Sequence, residues 1–218
     1  MLSPVVRIVD DDAHLLSALG FVLTVAGFAV AKYPSAETFL EKDDFSRPGC
    51  VVLDIRMSGM NGLQCQQALL ERGHSLPVLF LTGHGDVDMA VNALKYGAAD
   101  FLQKPVEAEK LSAICRKLVQ WHVSLCLTRE AWAADAAKVA SLTPREREAA
   151  ELVATGLPNK IIAERLGVSE PGVKFHRTNI YRKLEVRSAV EVGKMLARTA
   201  AGMPSAAPGE LLHLQAAE

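Results

Sequence analysis

The sequence predicts two domains of different class: a doubly wound α/β domain on a five-stranded parallel sheet, followed by an all-α domain. Three observations carry this expectation. Five short apolar runs alternate with helically spaced stretches through the first half of the chain. From Ser141 onward no strand-like run remains. The charge balance changes as well: residues 1–122 hold eleven Lys/Arg against fourteen Asp/Glu, whereas residues 141–200 hold eleven against seven. The second region therefore suits a polyanionic partner and the first does not.

The elements follow in order. Val5–Val9, Val51–Leu53 and Val78–Leu81 are nearly unbroken apolar runs, as parallel strands buried on both faces require. Ala29–Lys32 and Asp100–Leu102 complete the five strands. Between them His14–Ala26, Ser35–Lys42, Leu63–Arg72 and Val87–Tyr96 have helical spacing, with Gly27, Gly73 and Gly97 as stops. A fifth helix starts after Pro105, from about Glu107. Ser124 to Ala140 is Ala-rich with few large apolar residues, a composition that favours a helical connector. Thr143, Pro144 and Glu146 supply an N-cap, an N1 proline and a capping-box acid for the next helix. The segment Asn159–Leu166 reads as a short helix stopped by Gly167. Ser169 then caps a basic helix running to about Leu184. A short helix, a tight Gly turn and a Ser-capped basic helix together are helix-turn-helix grammar. The tail from Ala201, rich in Ala, Pro and Gly, is expected to be disordered. The expected boundaries are 4–122, a linker over 123–140, 141–200 and a tail over 201–218.

Composition removes several functional classes. The chain has 218 residues, half of them apolar and 22% charged, enough for ordinary globular cores. No apolar run approaches the roughly 20 residues needed to cross a bilayer, so no membrane association is expected. Met1-Leu2-Ser3-Pro4 soon meets Arg7 and Asp10-Asp11-Asp12, unlike a signal peptide, and a cytoplasmic location is expected. Cys50, Cys65, Cys115 and Cys126 show no CxxC spacing and no His/Cys cluster, so free thiols are expected rather than zinc or a disulfide framework.

The chemistry concentrates at strand ends. Asp10 and Asp11 close the first strand and Asp54 the third, and a parallel sheet brings these ends to one edge. Three converging carboxylates repel one another and need a counter-ion. A hard divalent cation with oxygen ligands supplies one, and Mg²⁺ keeps waters that a substrate phosphate can replace. Thr82 closes the fourth strand and Lys104 the fifth, adding a hydroxyl and a cation. A single such residue is more often a solvated cap; five at the ends of four strands point to phosphoryl transfer onto a carboxylate. In the basic helix Val173, Ile180 and Leu184 share one face, leaving Lys174, Arg177, Thr178 and Arg182 elsewhere as a cationic surface for the major groove.

Ile8-Val9-Asp10-Asp11-Asp12, Val52-Leu53-Asp54-Ile55-Arg56-Met57, Leu81-Thr82-Gly83-His84-Gly85 and Lys104-Pro105 resemble the receiver-domain signature. The resemblance covers Val5 to about Val119 and implies a flavodoxin/CheY-like fold. It implies that Asp54 is the phosphoacceptor, and that Asp11, Asp54 and the Arg56 carbonyl ligate Mg²⁺ with Asp10 in support. Thr82 and Lys104 would hold phosphoryl oxygens, Lys104-Pro105 would be cis, and Phe101 would be the switch aromatic. Receivers usually carry Pro after the Met that follows the phosphoacceptor; here Met57 is followed by Ser58, which frees a fixed φ.

The second region resembles the LuxR-type helix-turn-helix of FixJ and NarL regulators. The matching residues are Leu142-Thr143-Pro144-Arg145-Glu146, Gly156-Leu157, Asn159-Lys160, Leu166-Gly167-Val168-Ser169, Val173-Lys174, His176-Arg177 and Asn179-Ile180, then Lys183-Leu184. The resemblance implies a four-helix domain in which Lys174, Phe175 and Thr178 read bases. Lys160, Arg177, Arg182, Lys183 and Arg187 would complete the DNA-binding set, largely at phosphates, and Ser188–Arg198 would form a dimerising fourth helix. Glu170-Pro171-Gly172 departs from the usual pattern and costs a phosphate-contacting hydroxyl. Together the two resemblances imply a two-component response regulator rather than an enzyme. Its partners would be a sensor histidine kinase, double-stranded promoter DNA, RNA polymerase and, on phosphorylation, a second copy. Thr82–Asp86 and Phe101–Val106 are most similar to regulators of the FixJ or tetrathionate-respiration (TtrR) type. An aspartyl-phosphate phosphatase would need a second Asp two residues after Asp54, where this chain has Arg56. A receiver kept only for structure would not need the complete acidic pocket.

Overall fold

The computed structural model describes residues 3–83 and 97–205. The helix expected over Val87–Tyr96, the motif residues His84 and Gly85, and the tail beyond Ser205 lie outside the described residues. The chain forms two compact units that divide between Cys126 and Leu127.

The first unit contains β1 (Val5–Val9), α1 (Ala13–Val25), β2 (Ala29–Tyr33), α2 (Ala36–Lys42), β3 (Gly49–Asp54), α3 (Gly62–Glu71), β4 (Val78–Thr82) and β5 (Asp100–Gln103). It ends within α4 (Ala108–Ala140). The five strands form one parallel sheet in the order β2-β1-β3-β4-β5. Side chains alternate across it, as strand geometry requires. Cys50 and Val52 of β3 join Val6, Ile8, Leu79 and Leu81 under α1 and α4. Val51 and Leu53 join Phe80 under α2 and α3, against Phe39, Cys65 and Leu69. Burial on both faces is why these strands read as continuous apolar runs. Away from the strand ends, β1 carries a buried cation. Arg7 is fully buried, donating to the Asp43 carboxylate at 2.8 Å and to the carbonyls of Val5, Asp44 and Arg47. Such a complete set of partners is what a buried cation needs.

The register aligns the strand ends. Val9 pairs with Leu53, Asp54 with Leu81 and Thr82 with Gln103. Asp10 and Lys104 thus stand one residue beyond β1 and β5 rather than on their last residues, while Asp54 and Thr82 close β3 and β4. The Lys104–Pro105 peptide is cis. None of the four cysteines is in a disulfide, and Cys50, Cys65 and Cys115 are buried.

The second unit takes the end of α4 together with α5 (Pro144–Ala154), α6 (Asn159–Leu166), α7 (Glu170–Leu184) and α8 (Ala189–Ala200). Its core gathers Val139, Leu142, Val153, Ile162, Leu166, Val173, Ile180, Leu184 and Val192. The Thr143 and Glu146 side chains form a reciprocal capping box at α5, and Ser169 Oγ caps α7 by accepting from Gly172 N–H at 3.2 Å. Gly167 ends α6 with φ +65°, the left-handed conformation that glycine adopts without a Cβ penalty. Residues 123–140 are helical throughout as part of α4. No described helix is long and apolar enough to cross a membrane.

Candidate metal centre and nucleic-acid interface

One oxygen from each of Asp10, Asp11 and Asp54 lies within 4.8 Å of the other two. The three carboxylates are held in three different ways. Asp10 is fully buried; it accepts from Asp12 N–H at 2.8 Å and from Lys104 Nζ at 2.9 Å. Asp54 is 7% exposed and stands 3.1 Å from Lys104 Nζ. Burial pushes its carboxyl above the ordinary carboxylate range, with Lys104 opposing that rise and Asp10 adding to it. Asp11 faces solvent and accepts from Ser58 N–H at 2.8 Å. That amide is the main cause of a lowered Asp11 pKa.

Lys104 answers two carboxylates with one ammonium. Burial alone would lower its pKa, but the hydrogen bonds to Asp10 and Asp54 together with the charges of both carboxylates outweigh burial and raise it. Three negative charges against one positive leave the pocket at a formal −2, which one divalent cation balances. An all-oxygen donor set fits a hard cation, and the exposure of Asp11 leaves a side open for water ligands. Thr82 is buried at the end of β4, its Oγ1 3.4 Å from the Leu102 carbonyl. Arg56 follows Asp54 by two residues on an exposed loop. Phe101 is half-buried against the cluster under α2 and α3. The pocket thus brings together Asp10, Asp11, Asp54 and Lys104, with Thr82 at the adjoining strand end.

In the second unit α7 presents a mixed basic and aromatic surface. Lys174, Thr178 and Arg182 are exposed, and Phe175 is 66% exposed although aromatic. Lys160 on α6 and Arg187 after α7 are exposed too. Two cations expected there are already committed within the unit. Arg177 donates to Asn159 Oδ1 at 2.6 Å, which braces α7 against α6. Lys183 Nζ lies 2.6 Å from Glu146 and 3.3 Å from the Ser141 carbonyl. The sequence marked Glu146 as a cap and Lys183 as a cation; their separation of 37 positions gave no signal that they meet.

Comparison with known proteins covers both units. Residues 6–116 match the response regulator receiver domain, and residues 140–205 match the bacterial regulatory proteins, luxR family. The chain is 38% identical over 199 residues to the transcriptional regulatory protein FixJ of Bradyrhizobium diazoefficiens, covering 91% of this chain and 96% of that one. It is 37% identical over 194 residues to the response regulator protein TodT of Pseudomonas putida, covering 89% and 86%. Among solved structures it is similar to the response regulator StyR, with a TM-score of 0.85 at 38% identity over 90% of this chain and 100% of that one. Full-length FixJ from B. japonicum gives a TM-score of 0.56 at 34% identity, covering 92% and 99%.

Proposed function

The chain belongs to the two-component response regulators that join a receiver domain to a LuxR-type DNA-binding domain, and on that premise we propose that Asp54 accepts the phosphoryl group that controls DNA binding. The observation that carries this reading is the convergence of Asp10, Asp11, Asp54 and Lys104 at one sheet edge. The receiver implies a histidine kinase as phosphoryl donor. A carboxylate oxygen of Asp54 attacks phosphorus, the P–N bond to the donor imidazole breaks, and an acyl phosphate forms on Asp54. Lys104, already 3.1 Å from Asp54, turns its ammonium toward a phosphoryl oxygen, and Thr82 offers its hydroxyl to another. Asp11, Asp54 and the Arg56 carbonyl would hold Mg²⁺ with Asp10 behind them. The cation would neutralise charge that builds on the phosphoryl oxygens.

In the second unit Lys174, Phe175 and Thr178 read bases from α7, while Lys160, Arg182 and Arg187 contact phosphates. Their exposure supports this assignment. Arg177 acts mainly by orienting α7 through Asn159. The protein works in the cytoplasm on promoter DNA, as a phosphorylation-promoted dimer that engages RNA polymerase. Acetyl phosphate with Mg²⁺ should add one phosphoryl group, detected by intact mass. Asp54→Asn should abolish the addition, and equal labelling of this variant would overturn the assignment.

A further inference from the structure

The loop between β3 and α3 is fastened at two points by carboxylates from two different elements. Ser58 N–H donates to Asp11 Oδ2 at 2.8 Å. Two residues on, Met60 N–H donates to Glu37 Oε1 at 2.7 Å. Gly59 lies between them with φ +77°, and a Cβ there would fall 2.8 Å from Glu37 Oε1, so the loop passes close to the Glu37 anchor. The two anchors differ in one respect. Asp11 belongs to the cluster of three carboxylates, and Glu37 does not.

Position 58 is where receivers usually carry proline. A proline can complete the turn but has no N–H to give, so the bond from Ser58 to Asp11 is available to this chain because of its departure from the pattern. Asp11 is also the exposed member of the cluster, and an exposed carboxylate otherwise loses rotamer freedom when it takes a ligand.

We propose that Ser58 is a positioning residue for the divalent cation: its amide engages Asp11 Oδ2 and presents the Asp11 carboxylate to the pocket already oriented. The inference rests on reading the pocket as a cation site. The same bond ties Asp11 to the loop that carries the Arg56 carbonyl. Two expected ligands from the loops after β1 and β3 are thereby brought into register before the cation arrives, which reduces the ordering cost of binding.

Titration calorimetry with MgCl₂ on the full-length protein, without a phosphoryl donor, tests the proposal. Ser58→Pro should raise the Mg²⁺ Kd about fivefold, the scale of one net hydrogen bond. Ser58→Ala, which keeps the amide, should stay within about twofold of the wild type. Glu37→Ala loosens the same loop from its other side and should also stay within about twofold. With acetyl phosphate, the Mg²⁺ half-saturation of Ser58→Pro should rise in the same ratio while the saturating rate is kept. A Ser58→Pro protein that binds Mg²⁺ as tightly as the wild type overturns the proposal, as does Glu37→Ala weakening binding equally. Wild-type protein that binds no Mg²⁺ would overturn the cation-site reading itself, a different result. Hydrogen exchange at the Ser58 amide in the wild type gives an answer independent of how the proline variant folds. Protection in the metal-free protein that is lost in Asp11→Ala supports the bond, and unprotected exchange in the metal-free wild type refutes it.

Discussion

Lys183 and Glu146 show how a single contact redistributes roles among like residues. Arg182 and Lys183 are adjacent basic residues on α7, yet Arg182 is exposed while Lys183 is drawn into a 2.6 Å pair with a carboxylate that also caps α5. The side chain of Glu146 is only 11% exposed, so removing its cation strands a partly buried charge. Lys183→Ala should therefore cost about 1–2 kcal/mol of stability, between the usual figures for exposed and buried pairs. The Lys183 hydrogen bond is the largest cause of the lowered Glu146 pKa. A depressed carboxylate pKa contributes stability above the unfolded pKa, and that contribution is lost as pH falls through the lower folded value. Thermal melts of Lys183→Ala and wild type should thus differ at neutral pH and converge in acid. Arg182→Ala should leave the melt unchanged and reduce the salt slope of DNA binding by about one unit. A Lys183→Ala protein with wild-type melting and a reduced salt slope would return Lys183 to the phosphate contacts.

At the scale of elements, the junction between α6 and α7 is set almost entirely by local chemistry. Gly167 adopts φ +65°, Val168 N–H reaches back to the Ala163 carbonyl at 3.0 Å, and Ser169 caps the next helix. A Cβ at Gly167 would meet nothing within 4 Å, so Gly167→Ala should pay the left-handed backbone penalty alone, about 1–2 kcal/mol. Gly167→Asn should cost less, because Asn tolerates that region; equal melting of the two variants would refute this. Local determinants of this kind were legible in the sequence: the stop at Gly167, the caps at Thr143 and Ser169, and the buried stripe of Val173, Ile180 and Leu184. The three central strands β1, β3 and β4 were legible for a related reason, since burial on both faces leaves an unbroken apolar run. Contacts between distant positions were not. Periodicity gives the face of an element but not which side chain meets which, so the bond from Ser58 to Asp11 and the pair of Lys183 with Glu146 became visible only in the folded chain. The departure to Ser58 read as a loss of loop restraint, whereas its more direct consequence is a gained donor.

At the scale of the whole molecule, the acidic pocket and the LuxR-type helix-turn-helix belong to different compact units of one chain, and we infer that the signal acts on what a single helix-turn-helix unit lacks. What it lacks is contact area. A single small module buries about 600–1,000 Å² on DNA, less than most specific complexes require. On α7 that shortage is sharpened, because Arg177 and Lys183 are spent within the unit and Gly172 offers no hydroxyl. Two copies on adjacent half-sites would supply the missing area, and each proposed base reader would then count twice. Phosphorylation should accordingly shift sedimentation toward a dimer and tighten binding only on DNA with two half-sites about 10–10.5 bp apart. Moving one half-site by about 5 bp places it on the opposite face of the duplex, and it should remove the gain even though every base contact is still available. Lys174→Ala should lower affinity for the true site by roughly 1–3 kcal/mol per half-site while leaving random DNA nearly unaffected. An operator affinity that is independent of phosphorylation, together with an unchanged mass in sedimentation, would show that assembly is not the step that phosphorylation controls.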